Sequence, residues 1–253
     1  MTAAADHSAV PGGPRVPDDV SRETTAAEAL TTPELTALGR ALVGDHLEVL
    51  IRYAELLAGA GVERGLIGPR ETPRLWDRHL LNCAVISELI EPGCRVDDVG
   101  SGAGLPGMVL GLVRPDLEVT LVEPLLRRTT FLREVVDELG LSNVRVVRAR
   151  AEEHARAVTS GQAQPADIVT ARAVAPLGRL ADWCLPLLRP NGVLLAMKGE
   201  SAHAELEAAR AELAAAGAVG ADVLTAGVGV VDPPTTVIRV VRGAPRSGRT
   251  GGR

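Results

Sequence analysis

Val96-Asp-Asp-Val-Gly-Ser-Gly-Ala-Gly-Leu-Pro-Gly107 is the stretch that decides the fold. Arg95–Val99 reads as a short strand, glycines follow at 100, 102 and 104, and Leu105–Val113 reads as a helix that Pro115 ends. Glycine has no Cβ, so such a turn can enter left-handed conformations and let a ligand approach its backbone. The next strand, Glu118–Val122, leads directly into Glu123, 23 residues after Gly100. That is where a βαβ nucleotide site places an acid for ribose hydroxyls, beyond the carboxyl ends of the strands.

Working outward, the alternation continues. A helix is expected over Arg127–Leu139, a strand over Asn143–Arg148, a helical turn over Ala151–Ala157 and a strand over Ala166–Thr170. A helix over Leu177–Leu188, a strand over Gly192–Met197 and a helix over Ala202–Ala216 come next. Two strands, Ala221–Val230 and Thr236–Val241, close the series. Alternating strands and helices predict a parallel sheet covered on both faces. The last two strands leave no room for a crossover helix, so they should be antiparallel neighbours. Ahead of the sheet, Thr32-Pro33-Glu34-Leu35 has the form of a helix start. It leads into one or two helices ending near Gly59–Gly61, and a further helical stretch runs from about Pro73 to Ile90. The expected organisation is a loosely packed extension (1–30), an N-terminal helical segment (31–92), a ligand-binding core (93–242) and a flexible basic tail (243–253).

Composition narrows the function. The chain has 253 residues, 46% hydrophobic and 23% charged, as a globular protein does. No apolar run approaches the roughly 18 residues of a membrane span, and no signal peptide is evident. A cytoplasmic location without membrane contact is expected. Three scattered cysteines, Cys83, Cys94 and Cys184, fit neither a disulfide scaffold nor a zinc site, and no metal is expected. The net charge of −5 argues against indiscriminate nucleic-acid binding. The four aromatics, Tyr53, Trp76, Phe131 and Trp183, are too few for a base-stacking platform. Lys198 is the single lysine among 27 basic residues.

Gly102-Ala-Gly-Leu-Pro-Gly107 formally matches a dinucleotide-binding pattern, so NAD is a rival ligand. Two features favour S-adenosylmethionine (AdoMet). Asp98, two residues before Gly100, suits a cationic amino-acid ligand and would repel a pyrophosphate. The antiparallel end of the sheet is something a dinucleotide fold does not need.

The segment Asp98-Val-Gly-Ser-Gly-Ala-Gly-Leu-Pro-Gly107 resembles the glycine motif of the RsmG family, also called glucose-inhibited division protein B. The likeness extends to Arg78-His-Leu-Leu-Asn-Cys83, Leu132-Arg-Glu-Val135, Arg150-Ala-Glu-Glu153, Thr170-Ala-Arg-Ala-Val-Ala175 and Lys198-Gly-Glu200, covering about Leu35–Val241. Ser101 and Ala103 stand where other members commonly have Thr and Pro. The resemblance implies a Rossmann-like class I AdoMet-dependent methyltransferase, with a mostly parallel sheet, an antiparallel terminal strand and preceding helices. It implies methylation of N7 of one guanine, about position 527, in the decoding-region loop of 16S ribosomal RNA. It also implies cofactor contacts at Gly100, Leu105, Ala151, Glu152 and Arg172. Gly102 and Glu123 join them by fold logic. The substrate is expected within the small ribosomal subunit or an assembly intermediate, and the enzyme as a monomer.

The methyl group of AdoMet is already activated on a sulfonium, and guanine N7 carries a lone pair and no proton. No general base is needed, so positioning should dominate. Arg172 and Lys198, each following a strand, are the positioning candidates; an ordinary salt bridge or an exposed helix-start charge is the plainer alternative. Arg128, Lys198 and His79 are the candidate substrate contacts. Arg70, Arg74, Arg78 and Arg127 are further candidates for an RNA surface. His46, His154 and His203 are expected at the surface, and Trp76, Trp183 and Phe131 in the core.

Overall fold

The computed structural model describes residues 32–172 and 174–244. The expected N-terminal extension and all but the first two residues of the expected tail lie outside them. Seven strands form one sheet: β1 (Arg95–Val99), β2 (Glu118–Val122), β3 (Val144–Val147), β4 (Ala166–Arg172), β5 (Leu188–Lys198), β6 (Ala218–Ala226) and β7 (Thr235–Arg242). Their order is β3-β2-β1-β4-β5-β7-β6. The first five are parallel, with Val96 opposite both Val119 and Ile168. β7 runs antiparallel to β6, as the missing crossover required, and it also inserts antiparallel beside β5. Strand order reverses between β1 and β4, which opens a crevice at their carboxyl ends.

Pleating sends successive side chains to opposite faces. Val96, Val119, Leu121, Ile168 and Leu195 therefore share one core with the N-terminal helices, with α4 (Gly107–Val113) and with α5 (Leu126–Glu138). Val99, Val169, Ala171, Leu194 and Ala196 share the other with α6 (Ala151–Thr159), α7 (Leu177–Cys184) and α8 (Ala202–Ala215). The N-terminal segment opens with two helices, α1 (Pro33–Val43) and α2 (Leu47–Leu56). Thr32 caps α1 by accepting the Leu35 amide.

The structure differs from expectation where proline and glycine interrupt an apolar period. The stretch from Pro73 to Ile90 is not one helix: a 3-10 segment to Arg74 and a π turn over Leu75–Leu80 precede the short α3 (Leu81–Val85) and a final 3-10 turn. Apolar spacing reports which side is buried, not how tightly the backbone winds. α7 stops at Cys184 because Pro186 has no amide to donate, and Leu185–Leu187 tightens to 3-10. β6 ends at Ala226, since Gly227 and Gly229 turn the chain with φ of 73° and 75°. Among the described residues no helix is long and apolar enough to cross a membrane.

Candidate active site

A cavity of about 680 Å³ opens at the carboxyl ends of β1, β2 and β4. Its wall is the glycine turn, with φ of 72° at Gly100, 60° at Gly102 and 108° at Gly104. Each is a left-handed conformation that side chains resist. A Cβ on Gly100 would also stand 3.0 Å from Val174, and one on Gly104 would lie 2.6 Å from the Tyr53 hydroxyl. The turn can hold this shape only with glycine.

Glu123 sits at the cavity floor, 1% exposed. Its Oε2 accepts the Gly102 amide at 3.0 Å and its Oε1 the Leu125 amide at 3.0 Å. Arg128 Nη1 approaches Oε2 at 3.5 Å. A carboxylate has about four acceptor sites, so with these three donors capacity remains for a further hydroxyl. Farther along, α6 presents Ala151 and Glu152 to the cavity. The first amides of a helix have no partner inside it. The amides of Glu153 and His154 do reach the Arg150 carbonyl, leaving those of Ala151 and Glu152 for a ligand. An amide donor beside the Glu152 carboxylate suits a purine edge that both accepts and donates.

The acid expected to meet a cationic ligand does something else. Asp98 points away from the cavity and is fully buried. Its Oδ2 accepts the Gly107 amide at 3.1 Å and its Oδ1 the Thr170 hydroxyl at 3.0 Å. It ties the turn to α4 and β4. Burial pushes its carboxyl up to about 6, although those bonds oppose the shift.

The sequence comparisons settle the family. The family model described as GidB, rRNA small subunit methyltransferase G, matches residues 46–229. The chain belongs to the rRNA small subunit methyltransferase G family. It is 58% identical over 217 residues to a ribosomal RNA small subunit methyltransferase G of Streptomyces avermitilis, covering 86% of this chain and 88% of that one. Its identity to the Thermobifida fusca protein of the same name is 64% over 202 residues, covering 79% and 82%. Among solved structures, a SAM-dependent O-methyltransferase of Thermotoga maritima gives a TM-score of 0.49 at 14% identity, covering 66% of each chain. The strand order β3-β2-β1-β4-β5-β7-β6 in a chain of this family, and not that weak structural likeness, makes the fold that of a Rossmann-like class I methyltransferase.

For this member of the methyltransferase G family, Gly100, Gly102, Leu105, Glu123, Arg128, Ala151, Glu152, Arg172 and His79 all line the one cavity. Lys198 does not. Its ammonium binds Glu205 at 2.7 Å and the Ala175 carbonyl at 3.1 Å, and its stem borders a neighbouring cavity of about 460 Å³. Arg172 fronts both cavities. Its guanidinium donates to His79 Nδ1 and, at 3.4 Å, to Cys83 Sγ. Arginine only donates, so Nδ1 accepts and His79 must carry its proton on Nε2, which reaches Glu71 at 2.9 Å. Burial and the adjacent Arg172 hold the His79 imidazole below its ordinary pKa.

His154 is a correction: it is buried, not superficial, with Nε2 3.0 Å from Asp97 Oδ2. This pair pins α6, and with it Ala151 and Glu152, to the face of β1 opposite Asp98. Trp183 packs against the second core but is only half-buried and also forms part of the cavity wall, whereas Trp76 and Phe131 are fully buried. Tyr53 was not singled out by its sequence context. It is fully buried and donates to the Ala103 carbonyl at 2.8 Å, holding the glycine turn from the helical layer. Arg70, Arg74, Arg78 and Arg127 are all exposed.

Proposed function

We propose that this chain transfers the methyl group of AdoMet to N7 of a single guanine in the decoding-region loop of 16S ribosomal RNA. The observation that carries the reading is a glycine-walled cavity in a chain of the rRNA small subunit methyltransferase G family, matched over residues 46–229. The residues present suit AdoMet: Glu123 for the ribose hydroxyls, Ala151 and Glu152 for the adenine edge, and Gly100, Gly102 and Leu105 for close backbone approach.

AdoMet supplies an activated methyl group. The N7 lone pair of the guanine forms the new bond to carbon, and the pair of the broken carbon–sulfur bond stays on sulfur. No proton leaves the base. The protein's part is to hold the two reactants in line and keep water out. Arg172 stands where it can orient the base, and the neutral His79 beside it fixes the guanidinium plane. Arg128, at the rim, is placed to meet RNA. The small subunit or an assembly intermediate is the substrate form in this reading.

The test is transfer of labelled methyl to small ribosomal subunits from cells lacking this enzyme, followed by mapping of N7-methylguanine. One labelled guanine in the decoding-region loop is the expected result. AdoMet binding without that label would overturn the substrate, in favour of another RNA or a small molecule.

A further inference from the structure

We propose that the neighbouring cavity of about 460 Å³ is the receptacle for the target guanine, and that Glu200 reads its Watson–Crick edge. This rests on the function proposed above and names the base-binding side of the same site. Arg78, Asn82, Arg172, Lys198, Glu200 and Thr236 border this cavity. Topology gathers them: Arg172 and Lys198 end the parallel strands β4 and β5, and antiparallel β7 brings its beginning, Thr236, opposite Lys198. Arg172 is part of the wall shared with the glycine-turn cavity, so a base lodged here has one edge toward the methyl donor.

A carboxylate in a pocket that receives RNA needs an explanation, because it repels phosphate. Among the described residues none of the cations bordering the cavity is ion-paired with it, and Arg172 donates instead to His79 and Cys83. Lys198 is engaged by Glu205 at 2.7 Å, and Arg78 lies 3.9 Å from Glu71. Glu200 itself is exposed and has no hydrogen-bond or ion-pair partner among the described residues. An ionised carboxylate only accepts. Guanine presents two adjacent donors on its Watson–Crick edge, N1–H and the 2-amino group, which match two carboxylate oxygens. Adenine and cytosine each pair an amino group with a ring acceptor that would repel the acid. Enzymes that modify an extruded base commonly read it by that edge.

The same contact favours the reaction. Transfer to N7 moves the positive charge from sulfur to the purine ring and makes N1–H more acidic. The hydrogen bonds to Glu200 therefore strengthen as the new bond forms, which lowers the barrier rather than merely tightening binding.

The experiment compares full-length protein with Glu200→Gln, Glu200→Ala and Glu200→Asp. Two substrates are used: unmethylated small subunits, and subunits carrying adenine in place of the target guanine. Calorimetric AdoMet affinity should stay at the wild-type value in all three variants, since Glu200 does not border the cofactor cavity. Methylation of guanine by Glu200→Gln and Glu200→Ala should fall about ten- to hundredfold, the effect of losing a charge-assisted hydrogen bond. Glu200→Asp should recover part of it, and Glu200→Gln should narrow the preference for guanine over adenine. Wild-type turnover by Glu200→Ala with an unchanged base preference would overturn the assignment. A wild-type enzyme that labels no guanine at N7 overturns the underlying function instead, and this inference with it.

Discussion

Asp98 shows why a residue's chemistry cannot be assigned from its position in a motif alone. The spacing Asp98-x-Gly100-x-Gly102-x-Gly104 marks the turn correctly. Only the strand pleat and the position of Gly107 decide that the acid turns into the protein. A Cβ on Gly107 would lie 2.5 Å from the Asp98 Cβ, so glycine there makes room for the carboxylate. Raising a carboxyl from its ordinary 3.8 to about 6 means that the folded state binds the proton more tightly than the unfolded state does. Its contribution to stability is fully present below the unfolded value and is lost as pH rises through the folded one. Between pH 4 and 7 the wild type should therefore lose about 2 kcal/mol relative to Asp98→Asn, most of the full effect. Urea denaturation across that range measures it, and parallel pH curves for the two proteins would refute it. Glu123, by contrast, was legible, because strand, turn and spacing alone place it at the ligand edge. Tyr53, Trp183 and the Asp97–His154 pair were not. Each acts across a long sequence separation and leaves no local pattern.

At the level of elements, the glycine turn is clamped from three sides: by Asp98 beneath it, by Glu123 through the Gly102 amide, and by Tyr53 of α2 through the Ala103 carbonyl. The last clamp links the helical layer to the wall of the glycine-turn cavity. Tyr53→Phe removes the donor and leaves a buried carbonyl without it, which should lower stability by about 1–2 kcal/mol and weaken AdoMet binding. Denaturation and calorimetry read the two effects separately; lost stability with unchanged affinity would mean the turn holds its shape without Tyr53. Strand and helix identities in the sheet domain followed from the alternation of apolar runs with glycine and proline stops. The broken helical pieces between Pro69 and Leu89 did not, because burial of one side is compatible with α, 3-10 or π winding.

At the scale of the whole molecule, the N-terminal helices are continuous with the core of the sheet. Leu47, Leu50, Tyr53, Trp76 and Leu80 pack in the same buried cluster as Met108, Leu110, Val119, Leu121 and Phe131. Neither part has a core of its own on that face. Heating should therefore produce one transition, with calorimetric and van't Hoff enthalpies that agree. Two resolved transitions would show that the helical segment folds separately.

The reversed course of β7 has a practical corollary. Thr236 pairs with Lys198 beside the cavities, while Val241 pairs with Val193 at the other end of β5. At about 3.3 Å per residue, the run from Thr235 to Arg242 carries the backbone about 23 Å away from the chemistry. A biotin or dye attached through the carboxyl-terminal side of β7 would be anchored at the opposite edge of the sheet. Enzyme captured on a sensor surface by that handle would present both mouths to the solution, where something as bulky as a ribosomal particle could approach them.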